Sequence, residues 1–160
     1  MKVLIADGSV MVTDRVLTLL DQIPNIELLG PTSDAHDTLE SIRLYNPEIL
    51  IVDVCIPGAK VMELLPTIRQ EQPGAILIIL TNFDYPEYRK PLEILGADLC
   101  LDKSHEFILL FRIVHELARI SFDTDGPVAI TGLRKQLAPA KLRVGLPCSL
   151  LELTGSSVSA

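Results

Sequence analysis

The stretch Glu48-Ile-Leu-Ile-Val-Asp53-Val-Cys-Ile-Pro-Gly58 decides how this chain reads. Ile49 to Val52 form a continuous apolar run rich in β-branched residues, the pattern of a strand buried on both faces, and the run delivers Asp53 at its carboxyl end. A carboxylate there must be solvated, paired or reactive. Pro57-Gly58 then turns the chain into a helix expected from about Lys60 to Gln70, so Asp53 stands at a strand-to-loop junction, where parallel α/β sheets place their ligand sites. Taken alone, Asp53 could equally well open a turn. Partners at other strand ends decide between the two readings.

Working outward, the same alternation recurs. Val3 to Ala6 is a short apolar run closed by Asp7-Gly8-Ser9, and Val10, Val12, Val16, Leu17, Leu19 and Leu20 then follow at helical spacing. Ile26 to Gly30 reads as a second strand, and Ser33 or Asp34 can cap a helix that Asn46-Pro47 ends, because a residue before proline is pushed out of the helical region. Pro66 lies inside the third helix and is expected to kink it. Ala75 to Leu80, the most apolar segment, is the best candidate for a central strand and ends at Thr81-Asn82. The next helix carries Pro86 in its first turn and Pro91 in mid-course, so a short, bent or weakly held element is expected there. Leu99-Cys100-Leu101 is the fifth strand, stopping at Asp102-Lys103-Ser104, and a last helix is expected from about His105 to Ile120 with Ser104 as its N-cap.

Five strands alternating with five helices imply a doubly wound α/β fold, a parallel sheet covered on both faces, over residues 1–120. Residues 121–160 change character: prolines and glycines punctuate short apolar pieces, and acids no longer outnumber bases. They read as a partly disordered tail without a recognisable output domain, carrying at most a short helix near Leu133 to Leu137. The 160 residues carry 14 basic and 21 acidic groups, a formal charge of −7, without a basic cluster, which argues against direct DNA binding. Three cysteines, Cys55, Cys100 and Cys148, show no paired spacing, which fits a reducing compartment and argues against structural zinc. No apolar run approaches the roughly 18 residues of a membrane span, and the N-terminal apolar run is too short for a signal peptide, so a cytoplasmic, non-membrane protein is expected.

With parallel strands, Asp7, Asp53, Thr81 and Lys103 all fall at carboxyl ends and therefore on one edge of the sheet. Two close carboxylates either share a proton or hold a hard cation, and an oxygen-rich site with few protein ligands suits magnesium. Lys103 offers a point charge to an anion and Thr81 a hydroxyl donor. The set suits stabilisation of a phosphoryl group on Asp53 better than binding of an organic cofactor. His36, His105 and His115 sit on expected helix surfaces or ends, without a carboxylate or cysteine at metal spacing. Cys55 and Cys100 read as small apolar fillers rather than reactive thiols.

Ile5-Ala6-Asp7, Ile51-Val52-Asp53 with Pro57-Gly58, Leu80-Thr81-Asn82, Gly96-Ala97-Asp98 and Asp102-Lys103-Ser104 together resemble the receiver domain of bacterial two-component response regulators, over about residues 2–120. The resemblance implies the flavodoxin-like strand order 2-1-3-4-5. It also implies phosphoryl transfer to Asp53 from a phosphohistidine on a sensor histidine kinase or phosphotransfer protein. Thr81 would bind the phosphoryl oxygen, Lys103 would neutralise its charge, and Asp7, Asp53 and the backbone carbonyl of Cys55 would hold Mg2+. Such a domain is a phosphoacceptor that assists its own phosphorylation and dephosphorylation rather than an enzyme. Its output face would be the fourth helix, fifth strand and fifth helix, meeting a downstream protein, another histidine domain or a second copy in a homodimer.

Two departures stand out. The family has a second acid after strand one where this chain has Gly8, so magnesium affinity should fall. The aromatic residue that reorients in the family's fifth strand is Cys100 here, which leaves Phe83 or Tyr85 to serve as the switch. Cys55 and Phe83 occupy positions that govern water access in the family, and slow self-dephosphorylation is expected from them. The reading is a stand-alone receiver. Its alternative is a pseudo-receiver, a phosphorylation-independent binding module, which Gly8 favours and the joint presence of Asp53, Thr81 and Lys103 disfavours. A haloacid-dehalogenase-type phosphatase needs a second acid where Cys55 stands, and a flavin or nucleotide binder needs a glycine-rich loop that Asp7-Gly8-Ser9-Val10 does not supply.

Overall fold

Strands and helices alternate along the whole of the computed structural model, which describes residues 1–82 and 86–123. The order is β1 (Lys2–Ala6), α1 (Val10–Leu20), β2 (Glu27–Thr32), α2 (Ala35–Tyr45), β3 (Ile49–Asp53), α3 (Val61–Glu71), β4 (Ile76–Thr81), α4 (Pro86–Ile94), β5 (Leu99–Asp102) and α5 (Phe107–Asp123). All neighbouring strands are parallel and the sheet order is β2-β1-β3-β4-β5, as the family resemblance implied. Val52 pairs with Ala6 on one side and Ile79 on the other, Asp53 with Leu80, and Thr81 with Asp102. This register brings the ends of β1, β3, β4 and β5 to a common edge.

The strands divide their side chains between two cores, because successive residues of a strand face opposite ways. Val3, Ile5, Ile49, Ile51, Ile76, Ile78 and Leu80 pack with α1 and α5, whereas Leu4, Ala6, Leu50, Val52, Leu77 and Ile79 pack with α2, α3 and α4. β3 and β4 are buried along their entire length, which accounts for their unbroken apolar sequence. Complete burial of each such aliphatic side chain contributes roughly 1.5–3 kcal/mol, so the two strands that carry Asp53 and Thr81 are also the most firmly held.

Several boundaries differ from the sequence reading, each for a local reason. β2 starts later and runs on through Gly30-Pro31 to Thr32, because its register against β1 slips between Val3 and Ile5 and Gly30 takes φ 77° at the irregularity. Pro31 is tolerated there because β2 is an edge strand. Of the two residues offered as caps for α2, Asp34 does the work: its carboxylate accepts the Asp37 N–H. Asn46 ends that helix in the left-handed region at φ 48° while donating its N–H to the Ile42 carbonyl. α3 continues through Pro66, which lies on its exposed side, where water can serve the carbonyl that lacks a partner. α4, with nine residues, is the shortest of the five helices, as its two prolines suggested.

Ser104 is not the N-cap of α5. That helix begins at Phe107, and the turn before it is closed by Asp102, whose Oδ1 accepts the N–H groups of Ser104 (2.6 Å) and His105 (3.1 Å). α5 extends to Asp123, three residues past the expected end. The remainder of the expected tail, with Cys148 and the short helix near Leu133 to Leu137, lies outside the described residues, as do Phe83 and Tyr85.

Candidate functional site

β1 hands the chain to Asp7, β3 ends on Asp53, β4 ends on Thr81 and β5 is followed by Lys103. All four are buried, at 3%, 8%, 2% and 8% exposure, an unusual state for three charged side chains and therefore one that requires pairing. The pairing is mutual. Lys103 Nζ donates to Asp7 Oδ2 at 2.6 Å and forms an ion pair with Asp53 Oδ1 at 2.9 Å, so one ammonium spans two carboxylates.

The backbone holds these groups in place. The Asp7 N–H donates to the Thr32 carbonyl, and the Ser9 N–H returns to Asp7 Oδ1 at 2.8 Å, occupying the oxygen that Lys103 does not take. The Lys103 N–H donates to the Thr81 carbonyl at 2.8 Å, and the Val54 N–H to the Leu80 carbonyl at 2.9 Å, fastening the ends of β5 and β3 to β4. The turn after Lys103 is shaped by Asp102. Partial burial pushes that carboxyl up, but hydrogen bonds from the Ser104 N–H, the His105 ring and the His105 N–H outweigh burial and hold it below the usual carboxylate range. Asp102 was not singled out from the sequence, although an Asp two residues before a Ser at a strand end is an ordinary turn signal.

Sequence reasoning read Pro57 only as part of a turn and missed its contact with Gly8. A Cβ placed on Gly8 would stand 2.9 Å from both Cγ and Cδ of the Pro57 ring and 3.3 Å from the Ser33 carbonyl oxygen. Nothing local in the sequence signals this approach, which joins loops on two different strands.

Two expectations need correction. Cys55 is exposed and is no core filler. Cys100 is the filler: it is buried against the α2–α3–α4 core, and burial, with the nearby Glu93 carboxylate, pushes its thiol up to about 12, while Arg89 acts the other way. His36 does have acidic neighbours, with its ring nitrogens 3.5 Å from Asp37 and 3.9 Å from Glu40. These groups are well exposed and remote in sequence from the strand-end site. His105 lies beside Asp102 as described, and His115 stacks on Phe111 along α5.

A family model for the response regulator receiver domain matches residues 3–115 of this fold, and the chain belongs to that family. It is 24% identical over 169 residues to the protein-glutamate methylesterase/protein-glutamine glutaminase 2 of Saccharophagus degradans, a match covering 98% of this chain and 49% of that protein. It is 30% identical over 104 residues to the corresponding protein of Desulfotalea psychrophila, covering 63% of this chain and 29% of the relative. The chain thus spans about half the length, or less, of the curated relatives it matches. Among solved structures it resembles a LuxR-family DNA-binding response regulator from Staphylococcus aureus, with TM-score 0.65, 25% identity and coverage of 73% of this chain and 98% of that one. The response regulator domain of Thermotoga maritima CheB, at 19% identity and TM-score 0.65 with coverage of 78% and 98%, shares the fold.

Receiver domains accept phosphoryl groups, interact with histidine kinases or phosphotransfer proteins and bind magnesium in their acidic pocket, and they are not catalytic by themselves. The residues of this chain fit magnesium in kind: Asp7, Asp53 and the Cys55 carbonyl are hard oxygen donors. They are one carboxylate short, because position 8 is glycine. Among the described residues no helix is long and apolar enough to cross a membrane.

Proposed function

We propose that Asp53 is the phosphoacceptor of a stand-alone receiver that takes its phosphoryl group from a histidine kinase or phosphotransfer protein and signals through protein contacts. The observation that carries this reading is the shared ammonium of Lys103, held between Asp7 and Asp53 with Thr81 at the next strand end. Among the described residues the Asp53 carboxylate takes only that ion pair, so its second oxygen remains available for attack on phosphorus. A phosphoryl on Asp53 adds nearly two negative charges, to which Lys103 and the Thr81 hydroxyl respond by turning toward the new oxygens. Asp7, Asp53 and the Cys55 carbonyl would hold magnesium, which when bound supplies further charge neutralisation at the phosphoryl oxygens.

Movement at Thr81 and Lys103 is passed to the segments that follow them, α4 and the turn into α5, and the face built by α4, β5 and α5 is the output surface. Exposed Tyr88 and Ile94 on α4 supply apolar contact area there for a downstream protein. The closed pair of cores around the sheet supports action as a unit. A second reading, the phosphorylation-independent binding module, is favoured by one observation, the Pro57 ring packed over Gly8.

Intact mass after incubation with acetyl phosphate separates the two readings. A single phosphoryl adduct on the wild type that is absent from Asp53→Asn supports the receiver, and no adduct under any condition supports the binding module.

A further inference from the structure

β5 closes the sheet on one side, so every second N–H along it points away from β4 and has no strand to meet. The Lys103 N–H turns inward, to the Thr81 carbonyl at 2.8 Å. The Asp102 N–H, one residue earlier, turns outward, and a side chain takes it: Glu106 Oε2 accepts it at 2.6 Å. Glu106 lies in the turn before α5, and its own N–H donates to the Asp102 carbonyl at 3.0 Å, so the two residues hold each other from both ends. The same Oε2 lies 3.8 Å from a guanidinium nitrogen of Arg89 on α4. The Arg89 charge is also felt by the Cys100 thiol, which sets it along β5. One carboxylate oxygen thus touches both the backbone beside Lys103 and the helix packed against β5. The two holds are unequal. The bond to Asp102 is short and charge-assisted, whereas the pair with Arg89 is long and partly exposed, and it is the one that gives way first.

We infer that Glu106 is a positioning residue for Lys103 and that, through Arg89, it makes the placement of α4 depend on that of Lys103. The inference rests on the reading of Asp53 as phosphoacceptor and names the contact that carries its signal outward. As Lys103 Nζ turns from Asp7 toward the new phosphoryl oxygens, the backbone of Asp102 and Lys103 shifts with it. Glu106 follows Asp102, the pair with Arg89 opens, and α4 loses a tether. The coupling runs both ways, so breaking the pair favours the phosphorylated arrangement.

The test reads two quantities on the full chain in magnesium: the rate of adduct formation from acetyl phosphate, by intact mass, and amide hydrogen exchange in peptides from α4. Glu106→Ala removes the acceptor of the Asp102 N–H and should slow the adduct about three- to tenfold. Glu106→Gln keeps an acceptor oxygen without the charge and should recover most of that rate. Without phosphodonor, Arg89→Met and Glu106→Gln should each raise α4 exchange about two- to threefold, the size of a partly exposed ion pair. The double variant should do no more than either alone, because both remove one interaction. Phosphorylation should raise α4 exchange in the wild type and much less in Arg89→Met. A wild-type rate in Glu106→Ala, no recovery in Glu106→Gln, or additive effects of the two substitutions on α4 overturns the inference. Unchanged exchange in β3 and β4 identifies the folded variants, and the Arg89→Met and Glu106→Gln cycle decides even if Glu106→Ala fails to fold. No adduct on the wild type overturns the reading of Asp53 itself, and the inference with it.

Discussion

Two buried ionic clusters sit at opposite edges of the sheet, and they are built in opposite ways. At the amino edge, Arg69 of α3 pairs with Asp98 just before β5 and donates in addition to the carbonyls of Gly96 (2.7 Å) and Ala75 (2.6 Å), while Asp98 accepts the Leu77 N–H at 2.8 Å. A planar guanidinium with fixed donors is matched there by backbone acceptors from two loops, which ties α3, β4 and the α4–β5 turn together. The fit is close enough that a Cβ on Gly96, already at φ 114°, would fall 2.6 Å from the Arg69 side chain. At the carboxyl edge a single lysine serves two carboxylates as a rotatable point charge, and among the described residues the Asp53 carboxylate is committed only to it. A saturated cluster fixes geometry, whereas a shared one can be redistributed when a new anion arrives.

The largest expected effect separates the two edges completely. Asp53→Asn removes the proposed phosphoacceptor and should abolish the acetyl phosphate adduct while leaving the thermal transition in place. Asp98→Ala should do the reverse. Stranding the buried Arg69 charge should lower unfolding free energy by about 3–5 kcal/mol in urea titration, yet the folded fraction should still form the adduct. Adduct loss in a folded Asp98→Ala protein would mean that the amino-edge cluster is part of the site.

The two described cysteines give an intermediate test of how open each region is. In a Cys148→Ser background, exposed Cys55 should react with iodoacetamide in the native state. Cys100, buried and with its thiol raised to about 12, should react only as the protein unfolds. Comparable native rates at both positions would show that the sheet beneath α4 opens readily.

The smallest effect lies on α5. The Arg119 side chain hydrogen-bonds Glu116 and holds its carboxyl below the ordinary 4.5, against the upward push of burial. The folded state therefore binds fewer protons than the unfolded chain in that range. The pair's stabilisation is full above about pH 4.5 and is lost as pH falls through the depressed folded value. Arg119 is half exposed, so Glu116→Gln should change stability at neutral pH by only about 0.2–0.5 kcal/mol and flatten the acid limb slightly.

The sheet and its strand-end residues were legible because they rest on local patterns. Ile49–Val52 and Ile76–Leu80 cannot be solvated, and each ends on a polar residue whose placement follows from parallel connection alone. Boundaries failed where a tertiary contact set them. β2 passes through Gly30-Pro31 because it is an edge strand with an irregular register, and the turn before α5 is closed by the Asp102 carboxylate rather than by a Ser104 cap. Some long-range contacts were not legible at all. Pro57 over Gly8 and Arg69 on Asp98 join residues far apart in sequence, and no periodicity or spacing reports which loops touch. Cys55 and Cys100 look alike in sequence but differ in exposure, because one lies in a strand and the other in the loop after β3.

The central claim is that Asp53 accepts the phosphoryl group, and its most direct test is chemical trapping. Protein exposed to acetyl phosphate is treated with borohydride, which reduces an aspartyl phosphate to homoserine, and the converted residue is located by peptide sequencing in the mass spectrometer. Homoserine at position 53, with none at Asp7 and none without the phosphodonor, is the result this account predicts. Conversion at another carboxylate, or an unmodified chain, would contradict it.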